Sequence, residues 1–291
     1  MLGNVKSVDV GGPGAWDFAG PAEAAPAGGA IIGYRDAGGA GLDLRVSGTT
    51  AITVLIAFGE CTLVVDEADG HRTLDGFAVG LAMAPMRVRS ERTACVELRL
   101  SPTQAYALGI PLTELGRGVV ALDDLWGTRA HRLREQLTTA QTWDERFAVT
   151  NSFLAQCDIS TRAPDAEILV GWNRILASAG RLEIGALAAS LGWSRKRLSA
   201  RFEPQIGLTP KRAAMLVRYR HAVDGLLAGR PAADVAVECG YTDQAHLCRD
   251  VGIFADHTPG SLTTNYRPSI ARHRYRAWGK SFQYGAGPVG R

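Results

Sequence analysis

The sequence predicts an α+β protein, with a small β-barrel or sandwich first, helices after it, and an all-α C-terminal third. Short β-branched runs fill most of the first hundred residues. From about Thr103 the spacing of apolar residues changes from the period of a strand to that of a helix. Two helical segments between residues 187 and 259 then repeat the same order of residues.

The β-rich part contains several short strands separated by turn residues. Gly59 divides two of them, which are predicted to pair as a hairpin, and Asp69-Gly70 marks another turn. In the last strand Val96 and Leu98 alternate with Glu97, so one face is apolar. The candidate strands are residues 42–47, 50–57, 61–66, 77–82, 86–90 and 95–100.

Helical spacing begins with a short segment, 104–108, that stops near Gly109 and Pro111. Residues 128–140 and 144–157 then form two longer amphipathic helices. Their apolar stripes are predicted to pack on the barrel or on a partner subunit, and the pattern leaves both open. The break at residues 160–165 predicts a domain boundary.

Charge divides the chain of 291 residues unequally. Residues 1–164 carry a net charge of −5, and residues 165–291 carry +8. This division favours a polyanion-binding module joined to a module with another partner. The sequence has no apolar run of membrane-spanning length and no apolar core of signal-peptide type, so we expect a cytoplasmic protein without membrane contact.

The five cysteines are scattered, with a spacing that favours neither a disulfide framework nor a zinc site. They are expected to be reduced and mostly packed. The β-rich part lacks two close histidines with a carboxylate, and no phosphate-binding or dinucleotide motif occurs. We therefore expect no enzyme activity and no cofactor. The cysteines are Cys61, Cys95, Cys157, Cys239 and Cys248.

The repeat joins residues 187–194 to residues 235–242. In each copy a helix ends at a glycine, which favours a left-handed turn, and an aromatic residue follows to fill the angle between two helices. Ser194 in the first copy, and Thr242 or Asp243 in the second, can cap the next helix. This order predicts two helix-turn-helix units, at 182–206 and 232–254, whose second helices can enter the major groove.

Helical period separates the inner and outer faces of the two second helices. Leu198 and Phe202 should face inward in the first, and Leu247 and Val251 in the second. Arginine can bind guanine, and glutamine can bind adenine, through paired hydrogen bonds. The candidate DNA contacts are Ser194, Arg195, Lys196, Ser199, Arg201, Lys211, Arg212, Thr242, Gln244, Ala245, Cys248 and Arg249.

A long connector is predicted between the units. Thr209 should cap a helix that has Pro210 at its first position and runs to about Leu227, before Gly229. At 1.5 Å per residue it would be roughly 27 Å long, and successive major grooves on one face of DNA lie about 34 Å apart. Residues 193–220 hold eight basic residues and one acid, a density typical of phosphate binding. The basic residues are Arg195, Lys196, Arg197, Arg201, Lys211, Arg212, Arg218 and Arg220.

Residues 166–267 resemble the tandem helix-turn-helix domain of AraC/XylS-family transcription regulators. The markers include Gly192-Trp193-Ser194, residues 207–210, Gly240-Tyr241, Thr258-Pro259 and Tyr266-Arg267. The resemblance implies a sequence-specific transcriptional regulator that binds double-stranded promoter DNA.

In that family the N-terminal part is usually a cupin-like barrel followed by dimerising helices, and Gly109-Ile110-Pro111 and residues 122–127 resemble it more weakly. The resemblance implies a cupin-like sensor at 1–110, a dimerisation segment at 111–160, a DNA-binding domain at 165–268 and a basic tail at 269–291. For the N-terminal part we expect a small-molecule effector bound in the barrel, a homodimer formed through residues 128–157, or both. The tail could contact phosphates or RNA polymerase, or could be a disordered basic segment.

Two departures from the family pattern affect the expected balance between the units. Val251 stands where the family usually has phenylalanine, and Ala200 where it often has a base-reading arginine. Specificity is therefore predicted to rest more on the first unit. The alternative to a DNA-binding regulator is a protein–protein interaction or sensor module, in which a degenerate second unit no longer reads DNA.

Overall fold

The computed structural model describes residues 16–20, 29–46, 48–67, 70–81, 85–116, 118–157 and 162–261. Asp69 of the predicted turn, residues 160–161 of the predicted boundary, Tyr266-Arg267 and the basic tail at 269–291 lie outside these ranges.

The described strands pair into two antiparallel sheets. The larger sheet has the order β1 (Trp16–Ala19), β2 (Ala30–Asp36), β9 (Ala94–Leu100), β4 (Ile52–Ala57), β7 (Gly76–Val79), β10 (Val119–Ala121). The smaller sheet has the order β3 (Leu42–Val46), β8 (Met86–Ser90), β5 (Leu63–Glu67), β6 (Gly70–Leu74).

The two sheets face each other across an apolar core. Leu44 and Val88 from the smaller sheet pack with Leu55 and Phe77 from the larger one. The opposite face of the larger sheet packs against helices. The α+β class is confirmed. Among the described residues no strand pairing closes the two sheets into one barrel, so the arrangement is a sandwich.

The hairpin predicted around Gly59 is wrong. β4 lies between β9 and β7, whereas β5 pairs with β6 and β8 in the other sheet. The chain crosses between sheets here because Leu55 and Leu63 bury their side chains from opposite sides of the same core. At the next turn β5 and β6 do form a hairpin, with Glu67 opposite Gly70.

Five helices follow the last long strand. α4 and α5 lie against the larger sheet, and Leu133, Leu137, Phe147 and Leu154 of their predicted apolar stripes are buried there. The stripes therefore pack within their own chain. These helices are α1 (Pro102–Ala107), α2 (Leu112–Leu115), α3 (Leu122–Trp126), α4 (Thr128–Thr139) and α5 (Trp143–Gln156).

Between residues 162 and 261 the C-terminal region has six helices: α6 (Ala166–Ala177), α7 (Ile184–Ser190), α8 (Arg195–Ile206), α9 (Pro210–Leu227), α10 (Ala232–Glu238) and α11 (Gln244–Ala255). None of the described helices is long and apolar enough to cross a membrane.

The C-terminal helices share one apolar cluster with the helical side of the sandwich. A Cβ added to Gly116, just after α2, would lie 3.0 Å from the Gly207 carbonyl oxygen at the end of α8. At a second point, the Gly48 N–H donates to the Phe254 carbonyl of α11 at 3.2 Å. The N-terminal region thus contacts the distal end of both α8 and α11.

Candidate DNA-binding interface

The two helix-turn-helix units repeat at the level of single hydrogen bonds. Gly192 and Gly240 both have the left-handed backbone that the sequence predicts, with φ of +68° and +74°. The aromatic residue after each glycine donates its N–H to a carbonyl five residues earlier, which closes the turn. These bonds join Trp193 to Ala188 at 3.0 Å and Tyr241 to Ala236 at 2.9 Å.

The second turn is one residue longer than the first, because the turn glycines are 48 residues apart whereas Leu198 and Leu247 are 49 apart. The helix caps locate this extra residue. The Ser194 hydroxyl accepts from the Arg197 N–H at 3.1 Å, as predicted. In the second unit Asp243 is the cap, and its carboxylate accepts from the His246 N–H at 2.7 Å. Thr242 is therefore the inserted residue, and it is exposed.

Both units have full apolar cores. Leu198 and Phe202 are buried in the first, and Leu247 and Val251 in the second, as predicted. Phe254, one helical turn after Val251, is also fully buried and stacks on Tyr219 of α9, with ring centroids 4.6 Å apart. Phe254 thus supplies an aromatic core residue to the unit that has valine at position 251.

The candidate DNA contacts lie on the outer surfaces of the two units. Ser199 and Cys248 are half-buried. The exposed candidates are Ser194, Arg195, Lys196, Arg201, Lys211, Arg212, Thr242, Gln244, Ala245 and Arg249.

Two arginines of the first unit are already paired with carboxylates. Arg195 lies 3.3 Å from Glu183, and both side chains are highly exposed. Arg201 donates two hydrogen bonds of 2.8 Å to Asp165, which also accepts from the Gln205 amide at 2.8 Å. DNA contact by either arginine therefore competes with an existing ion pair.

The environment of Asp165 favours its charged form. Burial acts to raise the pKa of this carboxyl, but the hydrogen bonds from Gln205 and Arg201 outweigh burial and lower the pKa. The sequence identified this position only as a domain boundary. Its role in holding Arg201 depends on a contact 36 residues away in the chain, which no local pattern predicts.

Two basic residues of the predicted phosphate-binding set are not on the surface, which corrects that prediction. Arg220 is only 8% exposed. The half-buried Arg218 donates to the buried Asp250 at 3.2 Å and lies over the Tyr241 ring, 4.5 Å from its centroid. Tyr241 is buried there, which raises the pKa of its hydroxyl.

The ion pair between Arg218 and Asp250 could have been inferred from the helical spacing of α11, although the sequence analysis did not use it. Asp250 lies three residues after the inward-facing Leu247, so the period places it on the inner face. A buried carboxylate requires a buried cation or donors, and Arg218 of α9 supplies one. The contact ties α11 to the connector.

The free cations of the interface are fewer than the sequence count indicates. Within the described part of the chain, Lys196 forms no ion pair or hydrogen bond, and Arg249 bonds only to the Ala245 carbonyl of its own helix at 3.4 Å. Lys211 and Arg212 are exposed in the first turn of α9.

The connector helix has the predicted bounds, from Pro210 to Leu227. The Thr209 hydroxyl accepts from the Arg212 N–H at 3.5 Å. Leu216, Tyr219 and Val223 are fully buried along its length, so neighbouring helices hold it in place. Such a helix is a rigid spacer between the two units.

A comparison with models of protein families agrees with this geometry. Residues 187–265 match the model of a family described as a helix-turn-helix domain. A search of the curated proteins gives no match.

Several solved structures match this chain at low identity and with TM-scores below 0.5. ToxT from Vibrio cholerae O395 is 9% identical, with a TM-score of 0.45 over 77% of this chain and 96% of that chain. The same protein bound to (E)-4-(8-methylnaphthalen-1-yl)but-3-enoic acid is 10% identical, with a TM-score of 0.44 over 77% and 97%. The AraC-like transcriptional activator CuxR is 17% identical, with a TM-score of 0.34 over 76% and 84%.

The family match covers the region where the tandem turns, caps and cores repeat. It confirms the helix-turn-helix domain that the sequence predicts there. Residues 187–265 of this chain are therefore a helix-turn-helix domain, the kind of domain with which DNA-binding transcription regulators contact DNA.

Proposed function

We propose that the protein reads two successive major grooves of promoter DNA, through α8 in one groove and α11 in the next. The observation that carries this proposal is the equivalence of the two units. Both turns close with the same backbone hydrogen bond, both reading helices have a side-chain cap, and both have buried cores. Equivalent units that both present polar outer faces favour equivalent roles.

The connector supports the spacing that this reading requires. α9 has 18 residues, which corresponds to roughly 27 Å. With the width of the flanking units added, it suits the distance of about 34 Å between successive major grooves. The Arg218–Asp250 pair ties α11 to this spacer, which supports a constant position of α11 relative to α9.

Side-chain chemistry assigns different roles to the exposed residues. Lys196 and Arg249 are the main cationic base contacts, and Gln244 suits the adenine edge. Lys211 and Arg212, in the first turn of α9, are placed for phosphate contacts that add affinity without sequence preference. The smaller candidates Ser194, Ser199, Thr242, Ala245 and Cys248 allow close approach of the backbone.

Fluorescence anisotropy with the DNA upstream of the gene, and with a scrambled duplex of the same composition, tests sequence specificity. We expect tighter binding to the upstream DNA and a steep fall in affinity as salt is raised. Equal affinity for both duplexes would overturn the proposal. Arg87→Ala, which removes an exposed cation from β8 of the smaller sheet, is the matched control and should bind as the wild type does.

A footprint tests whether both units read DNA. Two protected segments one helical turn apart, about 10 base pairs centre to centre, are expected. Protection of a single segment by a chain with both units folded would contradict two-groove reading. That result would favour the alternative in which the second unit serves another interaction.

An effector for the N-terminal region stays a prediction. Between the described strands, Leu44, Phe77 and Val88 line a cavity of ≈ 10 Å³, about the minimum volume for one water molecule. A ligand between the sheets would have to displace these side chains. A metabolite that binds the folded state must raise the melting temperature, so thermal-shift screening is the test.

Dimerisation also stays a prediction. Because α4 and α5 bury their apolar stripes inside the chain, a dimer through them would use their exposed polar faces. Light scattering of the full-length protein at several concentrations measures its mass directly. A mass of one chain at all concentrations would contradict the dimer. Contact with RNA polymerase through the basic tail concerns residues outside the described ranges.

A further inference from the structure

The structure brings together two cysteines that are 34 residues apart in the chain. The Sγ atoms of Cys61 and Cys95 lie 3.8 Å from each other, and the Ser90 hydroxyl lies 3.6 Å from the Cys61 sulfur. Cys61 lies two residues before β5 of the smaller sheet, and Cys95 is in β9 of the larger one. The pair therefore lies where the chain crosses from one sheet to the other.

We propose that Cys61 and Cys95 are a modification site, at which a hydroperoxide such as hydrogen peroxide forms a reversible intramolecular disulfide. A disulfide needs an S–S bond of about 2.05 Å, so each sulfur has to move by no more than about 1 Å along the line that joins them. Side-chain rotation and a small shift of the loop before β5 can supply that movement. The proposal does not depend on DNA binding.

The chemical roles within the pair follow from its surroundings. Hydrogen bonding with Cys95 is the main cause that lowers the pKa of Cys61 to about 7, against the opposing effect of burial. The Ala94 backbone, Ser90 and the charge of Arg134 act in the same direction. A thiolate at neutral pH is the nucleophilic form of cysteine, so Cys61 reacts first and Cys95 resolves the product.

The reaction balances with peroxide as the oxidant. The Cys61 thiolate attacks one oxygen, the O–O bond breaks, and hydroxide leaves, so Cys61 becomes a sulfenic acid. The Cys95 sulfur then attacks the Cys61 sulfur as the S–O bond breaks and a second hydroxide leaves. The two thiol protons convert both hydroxides to water. Two thiols are thus oxidised by two electrons, and one peroxide is reduced to two waters.

Access to the pair runs through the turn before β5. Cys61 itself is 1% exposed, but Glu60 and Thr62 on either side are exposed. The Cys61 N–H donates to the Phe58 carbonyl at 3.3 Å, which makes the turn tight and short. A local opening of this single turn is therefore enough to bring the sulfur to solvent.

The same turn is the docking point of α4, so the bond would form where sandwich and helix meet. Arg134 donates to the carbonyls of Gly59 and Cys61, both at 3.1 Å. The Gly59 N–H donates to the Thr138 hydroxyl at 2.9 Å. Closing the disulfide pulls on a backbone segment that α4 holds from the outside.

Peptide mapping of the full-length protein tests the site. After peroxide treatment, unfolding and alkylation, trypsin should release peptides 46–72 and 93–99 as one linked species that lacks two hydrogens. The number of free thiols should fall by two from five, and dithiothreitol should restore it. Linkage between other cysteines or between two chains, further oxidation of Cys61 without linkage, or five unchanged thiols would overturn the proposal.

Variants separate the two roles. In Cys95→Ala, Cys61 should accumulate as a sulfenic acid that dimedone traps, whereas in Cys61→Ala the Cys95 thiol should stay reduced. Cys239→Ala is the matched control, because burial raises the pKa of that thiol, and it should form the linked peptide as the wild type does. Oxidation of Cys95 in the absence of Cys61 would contradict the assignment. If a variant fails to fold, the wild-type peptide map still decides the proposal.

Discussion

The two helix-turn-helix units use their charges in different ways. The first has more basic residues at its surface, but Glu183 and Asp165 already bind two of its arginines. The second has fewer charges at its surface, and it holds its charged Arg218–Asp250 pair inside. A count of basic residues therefore overestimates the capacity of the first unit to bind DNA and underestimates that of the second. What matters for DNA binding is which cations are available and what holds each reading helix in position.

The largest expected effect tests whether the second unit has a true aromatic core. Phe254→Ala removes a fully buried ring, which should lower the free energy of unfolding by about 3–5 kcal/mol, as Phe202→Ala should in the first unit. Urea denaturation measures both. Ile253→Ala, which is 50% exposed, is the control and should change stability by less than about 0.5 kcal/mol. A Phe254→Ala effect as small as that of the control would support a degenerate second unit.

The next effect concerns the buried ion pair of the second unit. Arg218→Met leaves the Asp250 carboxylate buried without its cation, which should destabilise the protein by about 3 kcal/mol. The double variant Arg218→Met/Asp250→Leu removes both charges and should recover part of this loss. A double-mutant cycle in urea measures the coupling. If the losses of stability in Arg218→Met and in Asp250→Leu add up to the loss in the double variant, the pair does not hold α11.

DNA affinity compares cations that are free to contact DNA with a cation that a carboxylate already binds. Lys196→Ala and Arg249→Ala should each weaken specific binding by about 1–3 kcal/mol, or roughly 5-fold to 150-fold. Arg201→Ala should weaken it by less than about 3-fold, because Asp165 already holds that guanidinium. Anisotropy measures affinity, and circular dichroism checks the fold. An Arg201→Ala loss larger than the other two would show that DNA displaces Asp165.

The smallest expected effect is a pH dependence at the first unit. Because the pKa of Asp165 is lowered in the folded state, its contribution to stability is complete above the unfolded pKa of about 3.8 and is lost as pH falls through the folded pKa. Asp165→Asn should flatten the fall in melting temperature below about pH 4. The change should stay below about 1 kcal/mol, since Arg201 is largely solvent-exposed. Glu203→Gln, an exposed carboxylate of the same unit, should leave the fall unchanged.

Local pattern was sufficient for the parts of the fold in which neighbouring residues decide the structure. The left-handed glycines, the Ser194 cap and the bounds of α9 all follow from residues within one or two helical turns. Helical period also placed Leu198 and Phe202 inward. These features depend on backbone freedom, capping and amphipathicity, which act over a few residues.

Pairings between distant segments were not accessible to the same reasoning. β4 and β5 are adjacent in sequence and would satisfy a hairpin, yet a core shared by two sheets places them in different sheets. The extra residue of the second turn could be placed only when the Asp243 carboxylate was seen to accept from the His246 N–H. In both cases the sequence allowed two arrangements of similar local quality.

The sequence by itself determined that this chain has two helix-turn-helix units in tandem, where their turns lie, and which apolar residues of the reading helices face inward. Only the tertiary structure decided that Asp165 holds Arg201, that Arg218 is internal, and that Cys61 lies beside Cys95. The reason is physical: caps and helical periods are local and leave a regular trace in the sequence. Ion pairs and sulfur contacts between distant segments form where packing brings the side chains together, and packing leaves no such trace.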